Sequence, residues 1–581
     1  MAARFLALMS NRSDLVHDLA QRIAHKGDLI RVYGNTQLTV FANQADAILP
    51  LGPHGCVLGR LFSKTLGYDR VQAFNDAHID GIIATEGAHL LRDFWGTYVA
   101  FMCGRNGDAI ALRDPSGGFP AYEASYFDAS LFSSDMETLR HAGLLKSNIE
   151  WSYLPQHLFD GGLRTSHTAL KGVKELLPGA RLRFRSGQRH DDACWSPWDH
   201  VAPTVDLTDE ALSARIGDTV RRCTNALASC FRHPLTGLSG GLDSSIIAAS
   251  LAGTPSSMAT LTLATDEPEG DERRYARQVT DAFSLRLFEH IHDGNDVDLR
   301  RSVSKHLPRP MGNFMVQSVD VARANVMKTY PFDAYFSGRG GDNVFCSMQS
   351  ASALIDRVQA EGLSRGTWQT LYDICRLTES SAWDVGAMAV KRALSGGATY
   401  TWRGHPGFLH PDVVPRTASR HAWLEPPHGV PIGKAVHVML LVRIQGTLEG
   451  LSRYDAAELV TPLLSQPLVE LCLQVPSWRW CAGGRNRAPV RRAFSNLLPP
   501  SIVNRTTKGG PDSFCIEVID RNRSTVKGLL LEGRLAAHNL LDRGALERCL
   551  TATAPLVPPQ HLQLATLLEV EAWVNAWHDS S

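Results

Sequence analysis

The pattern of hydrophobic and polar positions changes along the chain. In the first part, short apolar runs are separated by Gly, Pro, Asn and Asp, and these runs lie at residues 2–9, 29–33, 38–41, 97–102 and 109–112. Short apolar runs bounded by turn residues predict β-strands. No helical repeat dominates before about residue 190, so we expect a sheet-rich N-terminal domain. Residues 186–205 are rich in Gly, Pro and mixed charge, which predicts a linker.

After residue 205 the pattern predicts a helix and then strand–helix alternation. Asp206 or Thr208 can cap this helix, and one stripe of it is apolar at Leu212, Ile216, Val220, Cys223 and Leu227. Apolar strands then alternate with helical segments, at residues 234–238, 260–263 and 334–336. This alternation predicts a parallel, doubly wound sheet. Beyond about residue 350 the pattern is mostly helical, and we expect two domains, 1–200 and 206–581.

Composition removes several classes of function. The 581 residues are 44% hydrophobic, and 59 Lys+Arg balance 59 Asp+Glu, so neither a disordered scaffold nor binding to nucleic acid by bulk charge is expected. No apolar run approaches the ~20 residues that cross a bilayer, so no membrane association is expected. The 11 cysteines form no Cys-x-x-Cys pair, which favours reduced thiols in a cytoplasmic protein.

The first segment with recognisable chemistry reads Leu-Ser-Gly-Gly-Leu-Asp-Ser-Ser at residues 238–245, between a predicted strand and a helix. Adjacent glycines let a backbone approach a ligand, and a helix start attracts anions. The hydroxyls of Ser239, Ser244 and Ser245 are further donors, whereas Asp243 suits a phosphate pocket only if a metal ion lies between them. A Gly-Gly turn with a capping Asp is the plainer alternative. The segment resembles the pyrophosphate loop of the ATP pyrophosphatase group, which splits ATP to AMP and pyrophosphate.

A second glycine-rich loop reads Phe-Ser-Gly-Arg-Gly-Gly-Asp-Asn-Val-Phe at residues 336–345 and also leaves an apolar strand. Alone, such a turn is as often structural as functional. Two of them in one parallel sheet would meet at its carboxyl edge, where ligands bind in such folds. Asp243 and Asp342 could then hold Mg²⁺ against the triphosphate of ATP.

Together the two loops resemble the synthetase domain of the glutamine-dependent asparagine synthetase family. Further stretches that are similar to this family lie at residues 96–100, 113–117, 453–464 and 491–509. The resemblance implies an N-terminal β-rich amidotransferase-like sandwich, followed by an α/β ATP-pyrophosphatase synthetase domain with a helical C-terminal part. It implies ATP and Mg²⁺ as cofactors, Asp243 and Asp342 as metal ligands, and Lys508 as an active-site lysine. The nucleotide-binding residues that it implies are Leu238, Ser239, Gly240, Gly241, Asp243, Ser244, Leu263, Ser337 and Gly338.

The departures from the family narrow the function. A glutamine-hydrolysing member needs a cysteine directly after the initiator Met, but position 2 is Ala2 and the nearest cysteine is Cys56. Glutamine hydrolysis is therefore not expected. Members without that cysteine include the β-lactam synthetases and the lasso peptide cyclases. Asparagine synthetases have Glu and β-lactam synthetases have Tyr where this chain has Arg339, and the following loop, with Asn343 in place of Glu, resembles the lasso cyclase version.

The chain is thus expected to be a lasso peptide macrolactam synthetase, which adenylates an Asp or Glu side chain of a precursor core peptide and joins it to the peptide's N-terminal amine. A leader peptidase of the same pathway is the expected partner, and Arg339 is expected to bind phosphate or a peptide carboxylate. The alternative is a β-lactam synthetase-like or other amide ligase acting on a small molecule. A sulfur-transferring tRNA enzyme is disfavoured by the missing Cys-x-x-Cys, and an inactive scaffold by the presence of Asp243, Asp342 and Lys508.

Two charged stretches have plainer interpretations. Arg485, Arg487, Arg491, Arg492 and Arg505 are expected to lie on a solvated helix face, and within that basic cluster only Lys508 is expected to meet phosphate. Residues 266–272 are acidic and are expected to form an exposed loop before a helix.

Overall fold

The protein is described by a computed structural model. The residues that it describes are 4–26, 29–43, 47–65, 68–145, 148–185, 188–202, 205–253, 258–395, 401–450, 457–507, 509–552, 556 and 559–579.

Two six-stranded antiparallel sheets form the N-terminal part. The strand order of the first sheet is β10-β8-β9-β1-β3-β2 and that of the second is β12-β11-β7-β6-β5-β4. The strands are β1 (Phe5–Met9), β2 (Ile30–Gly34), β3 (Leu38–Ala42), β4 (Ile48–Pro50), β5 (Gly55–Ser63), β6 (Phe94–Cys103), β7 (Ala109–Arg113), β8 (Tyr122–Tyr126), β9 (Ala129–Ser133), β10 (Val173–Glu175), β11 (Ala180–Arg185) and β12 (Gln188–Ala193). All the strands named from the sequence are present. The expected linker is partly wrong, because β12 lies within it and pairs with β11.

The two antiparallel sheets pack face to face as a sandwich. Their shared core is apolar, and Phe101 lies at its centre, with ring centroids 5.4 Å from Phe5 and 5.6 Å from Phe132. The outer face of the first sheet packs against the C-terminal helices of the chain. The outer face of the second sheet packs against helices around the parallel sheet. Since alternate residues of a strand point to opposite faces, strands that are buried on both faces, such as β1, β3 and β7, are largely apolar. The edge strands β2 and β12 are more exposed.

A five-stranded parallel sheet organises the rest of the chain, in the order β15-β14-β13-β16-β17. Its strands are β13 (Pro234–Gly237), β14 (Ala259–Ala264), β15 (Arg286–Ile291), β16 (Ala334–Phe336) and β17 (Glu458–Val460). The predicted parallel sheet is confirmed, since every neighbouring pair runs parallel. The sequence analysis missed the two edge strands, β15 and β17. The central strand β13 lies between β14 and β16, which places the two glycine-rich loops side by side.

Helices cover the sheets and make up most of the C-terminal part, as predicted. They are α1 (Ser13–Lys26), α2 (Asp76–Ala84), α3 (Ala88–Asp93), α4 (Met136–His141), α5 (Tyr153–Asp160), α6 (Asp209–Ala228), α7 (Leu242–Leu251), α8 (Arg273–Phe283), α9 (Val316–Met327), α10 (Gly341–Val344), α11 (Ser352–Glu361), α12 (Arg365–Thr378), α13 (Ala382–Leu394), α14 (Ile432–Gln445), α15 (Gln466–Gln474), α16 (Ala488–Ala493), α17 (Pro500–Val503), α18 (Asp512–Arg521), α19 (Arg523–Leu531), α20 (Arg534–Ala537), α21 (Arg543–Thr551) and α22 (Gln560–His578). Thr208 caps α6 and accepts from the backbone N–H of Ala211 at 3.2 Å. None of the described helices combines the length and apolarity that a membrane crossing needs.

A buried network of charges joins the sandwich to the rest of the chain. Glu175 on β10 accepts from Arg113 at 2.6 Å and from Arg309 at 2.6 Å, and its carboxylate also contacts Arg164. Glu449, which follows α14, contacts both Arg113 and Arg164. Burial alone would raise the pKa of Glu175, but the three arginines outweigh it and lower the pKa to about 2. The Glu175 carboxylate is therefore the central anion of this interface.

The substitution Glu175→Gln tests this role. It keeps the shape of the side chain but leaves three buried guanidinium groups with one fewer counter-charge. We expect the free energy of unfolding to fall by about 3–5 kcal/mol, the usual cost of breaking a buried ion pair. Urea unfolding followed by tryptophan fluorescence measures it.

Glu289→Gln is the matched control, because Glu289 pairs with Arg277 at 2.7 Å on the surface. Exposed pairs contribute little, so its unfolding midpoint is expected to equal that of the wild type. Equal midpoints for the wild type and Glu175→Gln would show that the buried network does not hold the two parts together.

Candidate active site

A cavity of about 540 Å³ lies at the carboxyl edge of the parallel sheet, where the sequence analysis expects the two loops to meet. The first loop, the second loop and a basic segment around residue 487 form its walls. The lining residues are Gly237, Leu238, Ser239, Gly241, Leu242, Asp243, Ser244, Leu261, Leu263, Tyr335, Ser337, Gly338, Arg339, Gly340, Gly341, Asp342, Asn343, Ile444, Asn486, Arg487, Arg505, Thr506 and Thr507. The structure therefore brings together most of the residues that the sequence analysis named.

The first loop connects β13 to α7 and is held by serine hydroxyls. The Ser244 hydroxyl lies 3.2 Å from that of Ser239 and accepts from the Ser239 N–H at 3.2 Å. The buried Ser245 hydroxyl donates to the Gly241 carbonyl at 2.8 Å, so it fixes the loop rather than facing the cavity. The positive end of α7 thus points at the cavity, as an anion-binding loop requires.

Gly240 packs against α8, unlike its neighbours in the loop, which line the cavity. It adopts φ +65°, and a Cβ atom there would lie 2.3 Å from the Cβ of Tyr275 on α8. Its carbonyl accepts from Arg505 at 3.1 Å. Gly240 is not among the residues that line the cavity, and its direct contact with nucleotide stays a prediction. Its contribution is the tight turn that only glycine tolerates here.

The second loop contacts the first loop directly, through two glycines. A Cβ atom at Gly341 would lie 2.2 Å from Cγ of Asp243, and one at Gly338 would lie 2.6 Å from the backbone nitrogen of Ser244. Any side chain at these positions would push the loops apart. The absence of side chains therefore allows Asp243 and Asp342 to share one corner of the cavity.

Arg339 and Asn343, where the second loop differs from asparagine synthetases, form hydrogen bonds with the backbone of α14 and of the stretch after it. Arg339 donates from Nη1 to the Thr447 carbonyl at 2.7 Å, and burial lowers the pKa of its guanidinium. Asn343 donates from Nδ2 to the Leu440 carbonyl at 2.7 Å. Arg339 lines the cavity, so it can meet an anion there, whereas the Asn343 amide is engaged by the backbone of α14.

The side chain of Arg487 lies between the two aspartates. Its Nη1 is 2.9 Å and 3.1 Å from the two carboxylate oxygens of Asp243, and 2.7 Å from Oδ1 of Asp342. The sequence analysis placed Arg487 on a solvated helix face, and this is wrong. The local sequence could not indicate that Arg487 contacts the two aspartates, because residue 487 is more than 140 positions from both and only the fold brings them together.

Arg505 holds the segment that follows it against the first loop. Its guanidinium contacts Glu272 and lies 3.9 Å from the ring centroid of Tyr275. Glu272 also accepts from the backbone N–H of Gly509 at 2.8 Å. Glu272 is buried, so the expectation of an exposed acidic loop fails at its last residue, although Asp266 and Glu267 are exposed. Thr507 lines the cavity, and Lys508 lies outside the described residues.

The remaining arginines of the basic cluster line a second cavity of about 500 Å³ behind the segment around residue 487. Arg491 is buried there and holds Asn486, donating to its carbonyl at 2.9 Å and to its side-chain oxygen at 2.7 Å. Burial, together with the nearby charges of Arg487 and Arg485, lowers the pKa of Arg491 to about 10. Three guanidinium groups thus surround this cavity, and that of Arg492 is paired with Asp209 at 3.3 Å.

The donor set at the aspartates fits a magnesium ion. Within the described ranges no three His, Cys, Asp or Glu side chains cluster as a protein-only metal site would require. Mg²⁺ characteristically takes one or two carboxylates and completes its shell with phosphate oxygens and water. Asp243 and Asp342, both within hydrogen-bond distance of a single cationic nitrogen, form such a pair.

Comparison with known protein families shows which family the chain belongs to. The asparagine synthase model matches residues 215–579, which is more than half of the chain and includes both glycine-rich loops, Arg487 and Arg505. The chain belongs to the asparagine synthase family. This is a family of ATP-dependent amide ligases, and its typical metal is Mg²⁺. The family therefore agrees with the chemistry of the cavity. No curated protein matches the chain.

Two solved structures share a weak likeness with this asparagine synthase family member. One is the allosteric regulatory enzyme of purine biosynthesis, with 9% identity, and the other is glutamine phosphoribosylpyrophosphate amidotransferase from B. subtilis, with 8% identity. Each match covers 50% of this chain and 80% of the other, with a TM-score of 0.21. A TM-score this low supports no conclusion about fold or function.

The contact between the loops can be tested with Gly341→Ala. The added methyl group would collide with the Asp243 carboxylate and move it away from Asp342. We expect the affinity for Mg²⁺ and ATP to fall about tenfold or more, the size of a typical overpacking penalty. Isothermal titration calorimetry with the wild type alongside measures it.

Gly386→Ala on α13 is the control, since a Cβ atom there would meet nothing within 4 Å. Its nucleotide affinity is expected to match the wild type. If Gly341→Ala also bound like the wild type, the close approach of the two loops would have no part in nucleotide binding.

Proposed function

We propose that this family member is an ATP-dependent macrolactam synthetase that acts on a peptide. It would activate a side-chain carboxylate of the peptide as an acyl-adenylate and join it to an amine of the same molecule. The observation that carries the ligase part is the single cavity that holds both glycine-rich loops, both aspartates and Arg487. The peptide part is supported by the resemblance of the Arg339–Asn343 loop to lasso cyclases.

Different surfaces of the cavity wall suit the metal ion, the phosphates and the adenine ring. Asp243 and Asp342 would hold the metal, which neutralises charge on the triphosphate when bound. The N–H groups and hydroxyls of the first loop would bind phosphate oxygens. Leu261 and Leu263 give the cavity an apolar wall at the end of β14, and this surface suits the adenine ring.

The source of the amine distinguishes this proposal from a glutamine-dependent synthetase. The N-terminal part contains three cysteines, Cys56, Cys103 and Cys194. Burial raises the pKa of all three, to about 12 for Cys56. A catalytic thiol needs a lowered pKa, since the thiolate is the nucleophile. These cysteines are therefore poor candidates for hydrolysing glutamine, and we infer that the amine belongs to the substrate.

The interface between the sandwich and the synthetase part bears on the same question. An amine released in the sandwich would have to cross this interface to reach the cavity. At this interface Gln445 donates to the Ser116 carbonyl at 3.0 Å, and the network around Glu175 and Glu449 is buried. A neighbouring interface cavity lined by Ser116 and Glu458 has a volume of about 20 Å³.

The proposed reaction has two steps, adenylation of the carboxylate and closure of the amide bond. A carboxylate oxygen of the peptide attacks the α-phosphorus of ATP, and pyrophosphate leaves. The peptide's N-terminal amine then attacks the acyl carbon, loses a proton and releases AMP. Holding the carboxylate and the amine of one peptide next to each other supplies an effective molarity worth up to about 7–11 kcal/mol of the barrier. We propose that Arg339 binds a peptide carboxylate or phosphate, and that a separate leader peptidase frees the amine.

A small-molecule amide ligase of the β-lactam synthetase type is the second candidate. The observation that favours it is the cavity volume of about 540 Å³, which lies within the range of ordinary small-molecule sites. Bound ATP would take much of this space, so a peptide would have to extend out of the cavity, whereas a small substrate would not.

The decisive test is mass spectrometry of a leader-free core peptide incubated with the protein, ATP and Mg²⁺. We expect the peptide to lose the mass of one water while AMP and pyrophosphate form in equal amounts, because the amide forms within one molecule. The peptide would be the one encoded beside this protein. A reaction that needs a second, diffusible amine would contradict the proposal and favour an ordinary amide ligase.

Asp342→Asn provides the matched control for that assay. It removes one metal-binding charge from a side chain whose carboxylate is half exposed, so the fold is expected to survive while AMP formation is lost. A fully active Asp342→Asn protein would contradict the metal assignment without touching the identity of the substrate.

Lys508→Ala tests the expected active-site lysine. A cation there would stabilise the negative charge that develops as the amine attacks, so we expect product formation to fall by ~10²-fold or more while ATP binding stays near the wild-type level. Lys508→Arg is expected to rescue poorly, since a planar guanidinium does not replace a point charge. Full activity of Lys508→Ala would show that the motif has been aligned wrongly.

A further inference from the structure

Arg487 places one guanidinium nitrogen between the two aspartates that would hold a metal ion. A single nitrogen, Nη1, lies within 2.7–3.1 Å of oxygens of Asp243 and Asp342. The Arg487 side chain is 11% exposed and that of Asp243 14%, so these two charges are screened little by water, while Asp342 is 51% exposed. A guanidinium nitrogen and a divalent cation cannot hold this position at the same time.

The backbone around Arg487 keeps the guanidinium in place. Arg487 has φ +56°, a left-handed conformation that residues other than glycine rarely adopt, and α16 begins directly after it. Arg491 grips the preceding residue, Asn486, through two hydrogen bonds. Departures of this kind cluster at functional sites, where the surrounding structure enforces them. The loop is thus fixed from behind while its side chain reaches the carboxylates.

Arg487 also has an N–H donor that does not bond to the carboxylates. Among the described residues its buried Nε has no hydrogen-bond partner. The same side chain lines the cavity in which the triphosphate would lie. If a divalent cation displaced Nη1 from the aspartates, the planar guanidinium could turn to phosphate oxygens, which match its fork of donors.

We propose that Arg487 is an exchangeable counter-ion. In the nucleotide-free protein it neutralises Asp243 and Asp342, a divalent cation displaces it, and the released guanidinium then binds the phosphates of ATP. The last of these steps rests on the proposed function, and the first two do not. Arg487 would therefore weaken metal binding before ATP arrives and strengthen nucleotide binding afterwards.

The experiment is a titration of the full-length, nucleotide-free protein with Mn²⁺, followed by electron paramagnetic resonance. Arg487→Gln removes the competing charge and keeps a polar side chain, so we expect Mn²⁺ to bind about tenfold tighter or more than to the wild type. The same variant should bind ATP with Mn²⁺ at least about tenfold more weakly, because the phosphates lose a cation. Unchanged or weaker Mn²⁺ binding in the nucleotide-free variant would overturn the proposal.

Arg485→Gln is the matched control, with the same loss of charge two residues away. Arg485 donates to Asn504 at 2.7 Å and lines the second cavity, so its Mn²⁺ affinity is expected to stay within about twofold of the wild type. A gain as large as that of Arg487→Gln would mean that general positive charge, and not displacement of Arg487, opposes the metal.

Chemical labelling of the wild type tests the displacement of Arg487 without depending on how the variants fold. Phenylglyoxal modifies free guanidinium groups, and peptide mass spectrometry reports each site. Mn²⁺ should increase the labelling of Arg487, and ATP added with Mn²⁺ should decrease it again. Labelling that Mn²⁺ leaves unchanged would contradict displacement, whereas an increase that ATP fails to reverse would contradict only the phosphate step. Neither Mn²⁺ arm needs a peptide, so failure of the proposed cyclase activity would be seen separately.

Discussion

The active-site cavity depends on the direct contact of two backbone loops at the carboxyl edge of a parallel sheet. Gly338 and Gly341 have no side chains, so the loop after β16 can lie against Asp243 and Ser244 of the loop after β13. This contact brings two carboxylates into one corner, where they would repel each other without a cation. Arg487 supplies such a cation in this structure, and Mg²⁺ has the right preferences to take its place. The glycines therefore determine the electrostatics of the site as well as its shape.

The sandwich is connected to this site through the residues that follow α14. The short stretch after α14 carries Thr447, whose carbonyl holds Arg339 at the cavity, and Glu449, which enters the buried network with Arg113 and Arg164. Residues two positions apart thus connect the cavity wall with the centre of the interface. The sandwich therefore helps to keep Arg339 in position, because the charges buried between the two parts cannot be left without partners.

Local sequence signals predicted the elements and the two loops, but not the contacts between distant segments. Strand–helix alternation and the glycine-rich strand ends identified the parallel sheet and the positions of Asp243 and Asp342. The sequence did not reveal Arg487 or the burial of Glu272, because each is defined by a partner far away in the chain. Strand β12 was missed because Gln188–Ala193 is polar and lies at a sheet edge, where one face is open to water.

The central claim is that Asp243, Asp342 and the two glycine-rich loops form one site for Mg²⁺ and ATP. The most direct measurement is a crystal structure of the protein with Mg²⁺ and a non-hydrolysable ATP analogue. The account predicts metal density between the two aspartates and the phosphates, the phosphates on the loop after β13, and the Arg487 guanidinium on phosphate oxygens. Nucleotide density elsewhere, or an Arg487 that still bridges the two carboxylates with the analogue bound, would contradict it.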